Sequence, residues 1–210
     1  MVSVKVPAGT VTVLPLRMIQ PNVKALARRR DADGLVSAAG YQDLIAAPGD
    51  GMLDRGAEIR RDAILALSQM GHDAGTEAVH AALSDPADEV RVAAIRVLFA
   101  REDARPLAAA LAWLPVDHGQ ARPLAIKALL ELRPPECAPS LTMALVHEPG
   151  DGPVGDDEVA LLKLLLEAGE GSDAADEVIE ELLVALADEH DPLADRAQDL
   201  LALLAPIGID

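Results

Sequence analysis

A single period of 31 residues constrains this chain more than any other feature of its sequence. Arginine, alanine, isoleucine and leucine each recur three times at that spacing, in one register and without a gap. A fixed period in this size range is typical of stacked helical units. The sequence therefore predicts a helical-repeat architecture. The four columns are Arg60, Arg91 and Arg122; Ala63, Ala94 and Ala125; Ile64, Ile95 and Ile126; and Leu67, Leu98 and Leu129.

The composition favours an all-α fold. The chain has 210 residues and 50% apolar content, so it is long enough to bury a substantial core as one folded unit. Aromatic residues make up only 1%, which leaves Ala, Leu, Val and Ile as the packing residues. The one cysteine, Cys137, has no second thiol to pair with, so we expect it to be buried and inert in a reducing compartment. The first twenty residues lack the apolar run of a signal peptide, so we expect a cytoplasmic protein that does not bind membranes.

Charge is distributed unevenly along the chain. The formal net charge is −17, yet residues 1 to 30 contain six Lys and Arg and no acidic residue. Residues 141 to 210 contain 18 Asp and Glu against Lys163 and Arg196. One interpretation is that the acidic half is a solvated surface that aids solubility. The other is that the basic N-terminal segment binds an acidic surface on a partner or on a second copy.

Residues 1 to 20 form a separate N-terminal segment in this prediction. Apolar and polar side chains alternate through residues 2 to 13, on both sides of a turn signal at Pro7 to Thr10, which predicts a short β-hairpin or extended arm. An isolated hairpin is marginally stable in water, so the arm must dock on the helical body or pair with another chain. The basic residues of the arm and of the helix that follows are Lys5, Arg17, Lys24, Arg28, Arg29 and Arg30.

Residues 21 to 210 are predicted to form one repeat domain. Its first pair has a helix from Pro21 to Arg30 and a second from Ala32 to about Ala46, followed by a loop at Pro48 to Gly51. In the fourth full pair, Ile179, Leu182, Leu183 and Leu186 should face inward. The predicted repeats are 21–47, 52–85, 86–115, 116–148 and 156–188, closed by a capping helix at 192–204.

The repeat resembles the HEAT repeat, in the short bacterial form that also occurs in phycocyanobilin-lyase-type proteins. The resemblance rests on the pattern from Val90-Arg91 to Leu98, with Asp85 six residues ahead of Arg91. It implies a right-handed α-solenoid of about five helix pairs.

The resemblance also implies a ladder of hydrogen-bonded Asp and Arg side chains between successive repeats, since partly buried charges must be paired. Asp54 precedes Arg60 by the same six residues as in the second repeat. The pattern then fails, because Val116 stands where the third Asp is expected and Ala160 is the nearest counterpart of the fourth Arg.

The second helices of such a stack line its concave side, where solenoids usually bind partners. Glu77 and His80 make this face polar in the first full repeat, but one and two periods later it becomes too apolar for a surface meant only for water. We therefore predict a groove for a partner helix or peptide, unless the arm occupies the groove or tight curvature narrows it. Trp113 belongs to a half-buried column beside it. The predicted partner-binding residues are Glu77, His80, Ala108, Leu111, Ala112, Trp113, Met143 and Val146.

No residues are assigned to catalysis, metal binding or a cofactor. His147-Glu148 and Glu189-His190-Asp191 offer too few converging ligands for a metal site. Cys137 has no nearby His, the serines lack a GxSxG setting, and the glycines after residue 149 lack the Lys of a phosphate loop. The acidic charge and the shortage of aromatic residues make nucleic acid an improbable partner. We therefore expect a protein without enzymatic activity.

These patterns predict a non-catalytic scaffold or adaptor that binds a protein partner on the concave face. Two alternatives stay open. The chain could be an accessory or chaperone-like subunit for an enzyme, similar to a bilin lyase, which requires a ligand-sized cavity along the same face. It could also assemble with itself, the basic N-terminus of one copy binding the acidic C-terminal half of another.

Overall fold

The computed structural model describes residues 20–46, 52–71, 73–114, 119–146, 156–168, 174–187 and 193–204. About three quarters of these residues are helical, so the predicted all-α class is confirmed. The predicted N-terminal arm lies outside the described residues, apart from Gln20. Among the described helices, none is both long enough and apolar enough to cross a membrane.

Eleven α-helices occur in the described part of the chain, and two of them are extended by a 3-10 turn. Most begin and end within a few residues of the sequence prediction. Their bounds are α1 Val23–Arg29, α2 Ala32–Ala39, α3 Ala57–Leu67, α4 Thr76–Ala81, α5 Asp88–Ala100, α6 Ala104–Ala110, α7 Ala121–Leu132, α8 Ala138–Val146, α9 Asp156–Ala168, α10 Ala174–Leu186 and α11 Leu193–Leu204. The 3-10 turns are Ala82–Ser84 after α4 and Pro135–Cys137 before α8.

The helices contact one another in chain order. The first helix of each pair packs on the first helix of the next pair, in the series α3, α5, α7 and α9. Among the second helices, α6 packs on α8 and α8 on α10, while α11 packs on α10. At the N-terminal end, α1 packs on α2 and α3. We call these two series the first-helix layer and the second-helix layer.

The repeated columns form the core between these layers. All nine Ala, Ile and Leu side chains of the 31-residue columns are buried, and most of them are completely inaccessible. The three column arginines are buried with them, at 3% to 9% exposure. Because burial recurs at each period, the repeat in the sequence corresponds to a repeat in packing.

The segment after α2 differs from the prediction. The predicted helix from Ala32 to Ala46 ends at Ala39, and β1 Leu44–Ala46 pairs antiparallel with β2 Met52–Asp54. One further backbone bond, from Arg55 N to Asp43 O at 2.9 Å, extends this pairing toward the body. Leu44 therefore belongs to a strand and is half exposed. The predicted loop at Pro48 to Gly51 lies between the strands, outside the described residues.

Candidate functional site

Arg60 on α3 is the centre of a largely buried charge network that includes the residues leading into α3 and into α5. Its Nη2 donates to Asp54 Oδ2 at 2.7 Å, while Nε and Nη2 donate to the two carboxylate oxygens of Asp85 at 2.7 Å. Its Nη1 also donates to Tyr41 O, at 3.1 Å. The hydrogen bonds from Arg60 hold the pKa of Asp54 below its ordinary value. One arginine thus joins its own repeat to the next.

Arg91 is the equivalent of Arg60 one period later, but among the described residues it pairs with only one carboxylate, that of Asp88. Its Nη1 donates to Asp85 O at 2.7 Å, and its Nη2 donates to Asp88 Oδ1 at 2.9 Å. Its buried Nε has no hydrogen-bond partner among the described residues. The Nε of Arg60 donates to Asp85, which lies 25 residues further on. At the same spacing from Arg91 the sequence has Val116. The interruption predicted from Val116 thus coincides with a donor that no described residue satisfies.

Arg122, the third column arginine, pairs with a glutamate that lies in a later helix. Its Nε donates to Glu158 Oε1 at 3.1 Å, and both side chains are at least nine-tenths buried. Its Nη1 donates to Leu111 O at 2.5 Å and to Leu114 O at 3.1 Å. Each column arginine therefore donates to backbone carbonyls that follow an earlier helix, whereas its acidic partner varies. Sequence reasoning missed Glu158, because it lies outside the 31-residue register.

The predicted groove is only partly open. Ala108, Leu111 and Val146 are at most 1% exposed and belong to the core, so the prediction that they line an accessible groove is wrong. The physical reason is close packing, since α6 packs on α7 and α8, and α8 in turn packs on α9 and α10. Pairing a helix with its neighbour buries more of its circumference than a single stripe.

Two large apolar side chains of the predicted groove remain exposed. Trp113 is 50% exposed in the turn after α6, and Met143 is 40% exposed on α8. Ala112, one period before Met143, is half-buried. The accessible apolar part of the predicted surface therefore consists of Trp113, Met143 and the half-buried Ala112. We call these three residues the Trp113 surface.

The polar members of the prediction lie one pair earlier. Glu77 is exposed on α4, and His80 is half-buried on the same helix. His80 Nε2 lies 3.2 Å from Asp103 Oδ2, at the start of α6. His80 therefore links two successive second helices through an Asp.

The basic residues of the N-terminal region are accessible where they are described. Lys24, Arg28, Arg29 and Arg30 are exposed on α1 and the residue after it. None of the four forms an ion pair with another described residue. Lys5 and Arg17 lie outside the described residues.

Helix α10 presents an apolar face that the sequence reasoning placed inward. Leu182 is buried and Ile179 and Leu186 are half-buried, but Leu183 is 55% exposed and its neighbour Val184 is 69% exposed. The prediction that Leu183 faces inward is therefore wrong. Four leucine and isoleucine positions span too wide an arc for one buried stripe, and α8 and α11 cover only part of it.

The thiol of Cys137 is 1% exposed, and burial raises its pKa to about 11. Such a thiol is protonated at neutral pH and is a poor nucleophile. Within the described ranges no group of three or more His, Cys, Asp and Glu is arranged to hold a metal ion. His147 and His190, the histidines of the two acidic pairs, lie outside those ranges.

No family model, no curated protein and no solved structure matches this chain.

Proposed function

We propose that the chain is a non-catalytic α-solenoid of HEAT-like units that binds a partner helix or peptide through the Trp113 surface. It acts as a scaffold or adaptor, and binding alone is its mechanism. The observation that carries the proposal is the exposure of Trp113, the single tryptophan of a chain with 1% aromatic residues.

The order of the helix contacts supports the solenoid. Successive first helices pack on one another from α3 to α9, and the second helices from α6 to α10 follow the same rule. Contacts between neighbouring units are the pattern expected when repeats stack in one direction. The buried arginines of the 31-residue columns bridge successive units, which agrees with the ladder implied by the HEAT resemblance.

The chemistry of the Trp113 surface supports partner binding. Tryptophan is enriched among the residues that dominate binding energy at interfaces, and methionine adapts to irregular apolar partners. Covering the exposed half of an indole removes on the order of 100 Å² of apolar area, which contributes about 2 kcal/mol. A partner with one apolar helix face would gain this energy on contact.

The accessory-subunit alternative has less support. It requires a ligand-sized cavity along the column through Ala108 and Leu111, and both of these side chains are in the core. Two open depressions reach the volume of a ligand site, about 430 Å³ on α10 and about 570 Å³ beside Glu102 and Pro134, but neither is lined by Ala108 or Leu111. Sites for small molecules usually have volumes of about 300–1,000 Å³.

Affinity capture from the native host with matched variants tests the proposal. We expect Trp113→Ser and Met143→Ser to lose a protein that the unaltered chain captures, because each removes exposed apolar area. The control is Leu203→Ser on α11, which removes a side chain of similar exposure, 41%, on another surface. Capture of the same proteins by all four chains would contradict the proposal.

A further inference from the structure

Helix α10 has an outward face that no other described element covers. Its exposed apolar side chains are Leu183 and Val184, and acidic residues flank them along the same side of the helix. The shallow, open surface there is lined by residues of α10 and by Ala187, which directly follows it. We call this the α10 face, which consists of Asp176, Ile179, Glu180, Leu183, Val184 and Ala187.

The charges around the α10 face are not neutralised by nearby bases. Between residues 156 and 204 the sequence contains only Lys163 and Arg196 as basic residues. Arg196 donates to Leu145 O at 3.0 Å, so its guanidinium is directed at the end of α8. Burial, and next the charge of Glu177, raise the pKa of Glu181 on the same helix, as expected where cations are scarce. The face therefore combines apolar area with the carboxylates of Asp176 and Glu180, which form no ion pair with another described residue.

Helices α1 and α2, at the N-terminal end of the described chain, carry exposed cations and an exposed apolar side chain. Lys24, Arg28, Arg29 and Arg30 are exposed on and after α1 and have no ion pair within the described residues. Val36, on the adjacent helix α2, is 41% exposed. This N-terminal end thus carries four exposed cations and one exposed apolar side chain, against the two exposed acids Asp31 and Asp33.

The two ends are too far apart to meet within one molecule. Helix α1 packs on α2 and α3, three steps of the first-helix layer separate α3 from α9, and α10 packs on α8 and α11. Packed helices lie about 8–10 Å apart, so the separation is roughly 25–30 Å. Lysine and arginine side chains cannot span that distance.

We propose that the α10 face of one copy binds the α1–α2 end of a second copy of the chain. Charge complementarity selects this occupant, because Arg28 and its neighbours supply the cations that Asp176 and Glu180 lack. The contact joins two different surfaces, so each bound copy still presents one free surface of each kind. Such a heterologous interface produces rings or open filaments instead of stopping at a dimer.

Sedimentation velocity of the full chain at several concentrations and two salt levels tests this contact. We expect association at about 0.01 M salt that disappears at about 1 M, because the Debye length falls from about 30 Å to about 3 Å. A monomer at every concentration in the low-salt buffer would overturn the proposal. So would association that is independent of salt.

Charge reversal identifies the surfaces. Glu180→Arg and Arg28→Glu should each weaken association about tenfold or more, since each places like charges in contact. The double variant should recover association, because its charges are exchanged and complementary again. Val184→Ser should also weaken association without unfolding the chain, since that side chain is 69% exposed.

The matched control is Glu167→Arg, which makes the same change in net charge at an exposed position of α9. We expect it to leave association unchanged within twofold. If it weakens association as much as Glu180→Arg, or if the double variant shows no recovery, the α10 face is not the binding surface. This experiment leaves Trp113 unaltered, so its outcome is independent of the proposed partner binding.

Discussion

Arg60 illustrates what a single residue contributes to this fold. Its guanidinium is 5% exposed and is held by Asp54 and Asp85, whose side chains are 22% and 10% exposed. The neighbouring Arg61 is 32% exposed, and its partners Asp62 and Glu58 are 41% and 76% exposed. The two arginines are adjacent in sequence, yet one joins two repeats and the other pairs locally on the surface.

Replacing each arginine by methionine should separate these roles. We expect Arg60→Met to lower the free energy of unfolding by about 3 kcal/mol, because it leaves two partly buried carboxylates without their cation. Arg61→Met should cost less than about 1 kcal/mol, since exposed ion pairs contribute little. Urea unfolding followed by circular dichroism measures both values. Equal losses would show that the Arg60 network does not stabilise the contact between repeats.

Sequence reasoning predicted the arginine column but not all of its partners. The 31-residue spacing identified Arg60, Arg91 and Arg122 as equivalent, and all three are buried. Glu158 was not predicted as the partner of Arg122, because the insertion before α9 shifts it out of register. A backbone carbonyl such as Tyr41 O carries no side-chain signal at all. Periodicity therefore locates a charge better than it locates what the charge binds.

At the scale of elements, the start of α7 depends on a contact with α5. Asp88, in the first turn of α5, accepts hydrogen bonds from Gln120 N at 2.7 Å and Ala121 N at 3.4 Å. Burial alone would raise the pKa of Asp88, but these amides and Arg91 outweigh it, so the pKa is lowered. Gly119 precedes them with a φ of +113°, and a Cβ there would collide with the Asp88 carboxylate. The glycine permits both the backbone angle and the close approach.

We expect Gly119→Ala to lower the free energy of unfolding by about 1–2 kcal/mol, because the strained φ and the displaced Asp88 act together. Gly40→Ala is the matched control, since Gly40 has a φ of −97° and its nearest contact is ordinary. Thermal unfolding of both variants measures the difference. A Gly119→Ala variant as stable as the control would contradict the proposed role of Asp88 at the start of α7.

The type of each element was easier to predict from the sequence than which of its side chains are covered by neighbouring elements. Helices α3 to α8 follow the repeat, because three periods in one register specify their positions along the chain. The β1–β2 hairpin was missed because Leu44 continues the apolar spacing of α2, and pairing with β2 replaced that local preference. The face of α10 was misassigned because which leucine is covered depends on the positions of α8 and α11.

At the scale of the whole molecule, the described helix pairs are regular in the middle of the chain and differ toward its two ends. The interior pairs share buried columns and bridging arginines, so they maintain the stack. Among the exposed apolar residues, Trp113 and Met143 lie where the second-helix column turns from polar to apolar, and Leu183 and Val184 lie on the α10 face. Cations collect at the N-terminal end and acids at the C-terminal end. In our proposal the interior pairs provide rigidity, and the Trp113 surface and the α10 face provide the surfaces for binding.

The most direct test of partner binding uses Trp113 itself. Because the chain has a single tryptophan, incorporation of 5-fluorotryptophan gives one fluorine NMR resonance from residue 113. On addition of the protein recovered by capture, we predict that this resonance shifts and loses its sensitivity to replacement of H₂O by D₂O, because the partner excludes water from the indole. A complex that forms while the resonance keeps its position and its full solvent sensitivity would contradict the account.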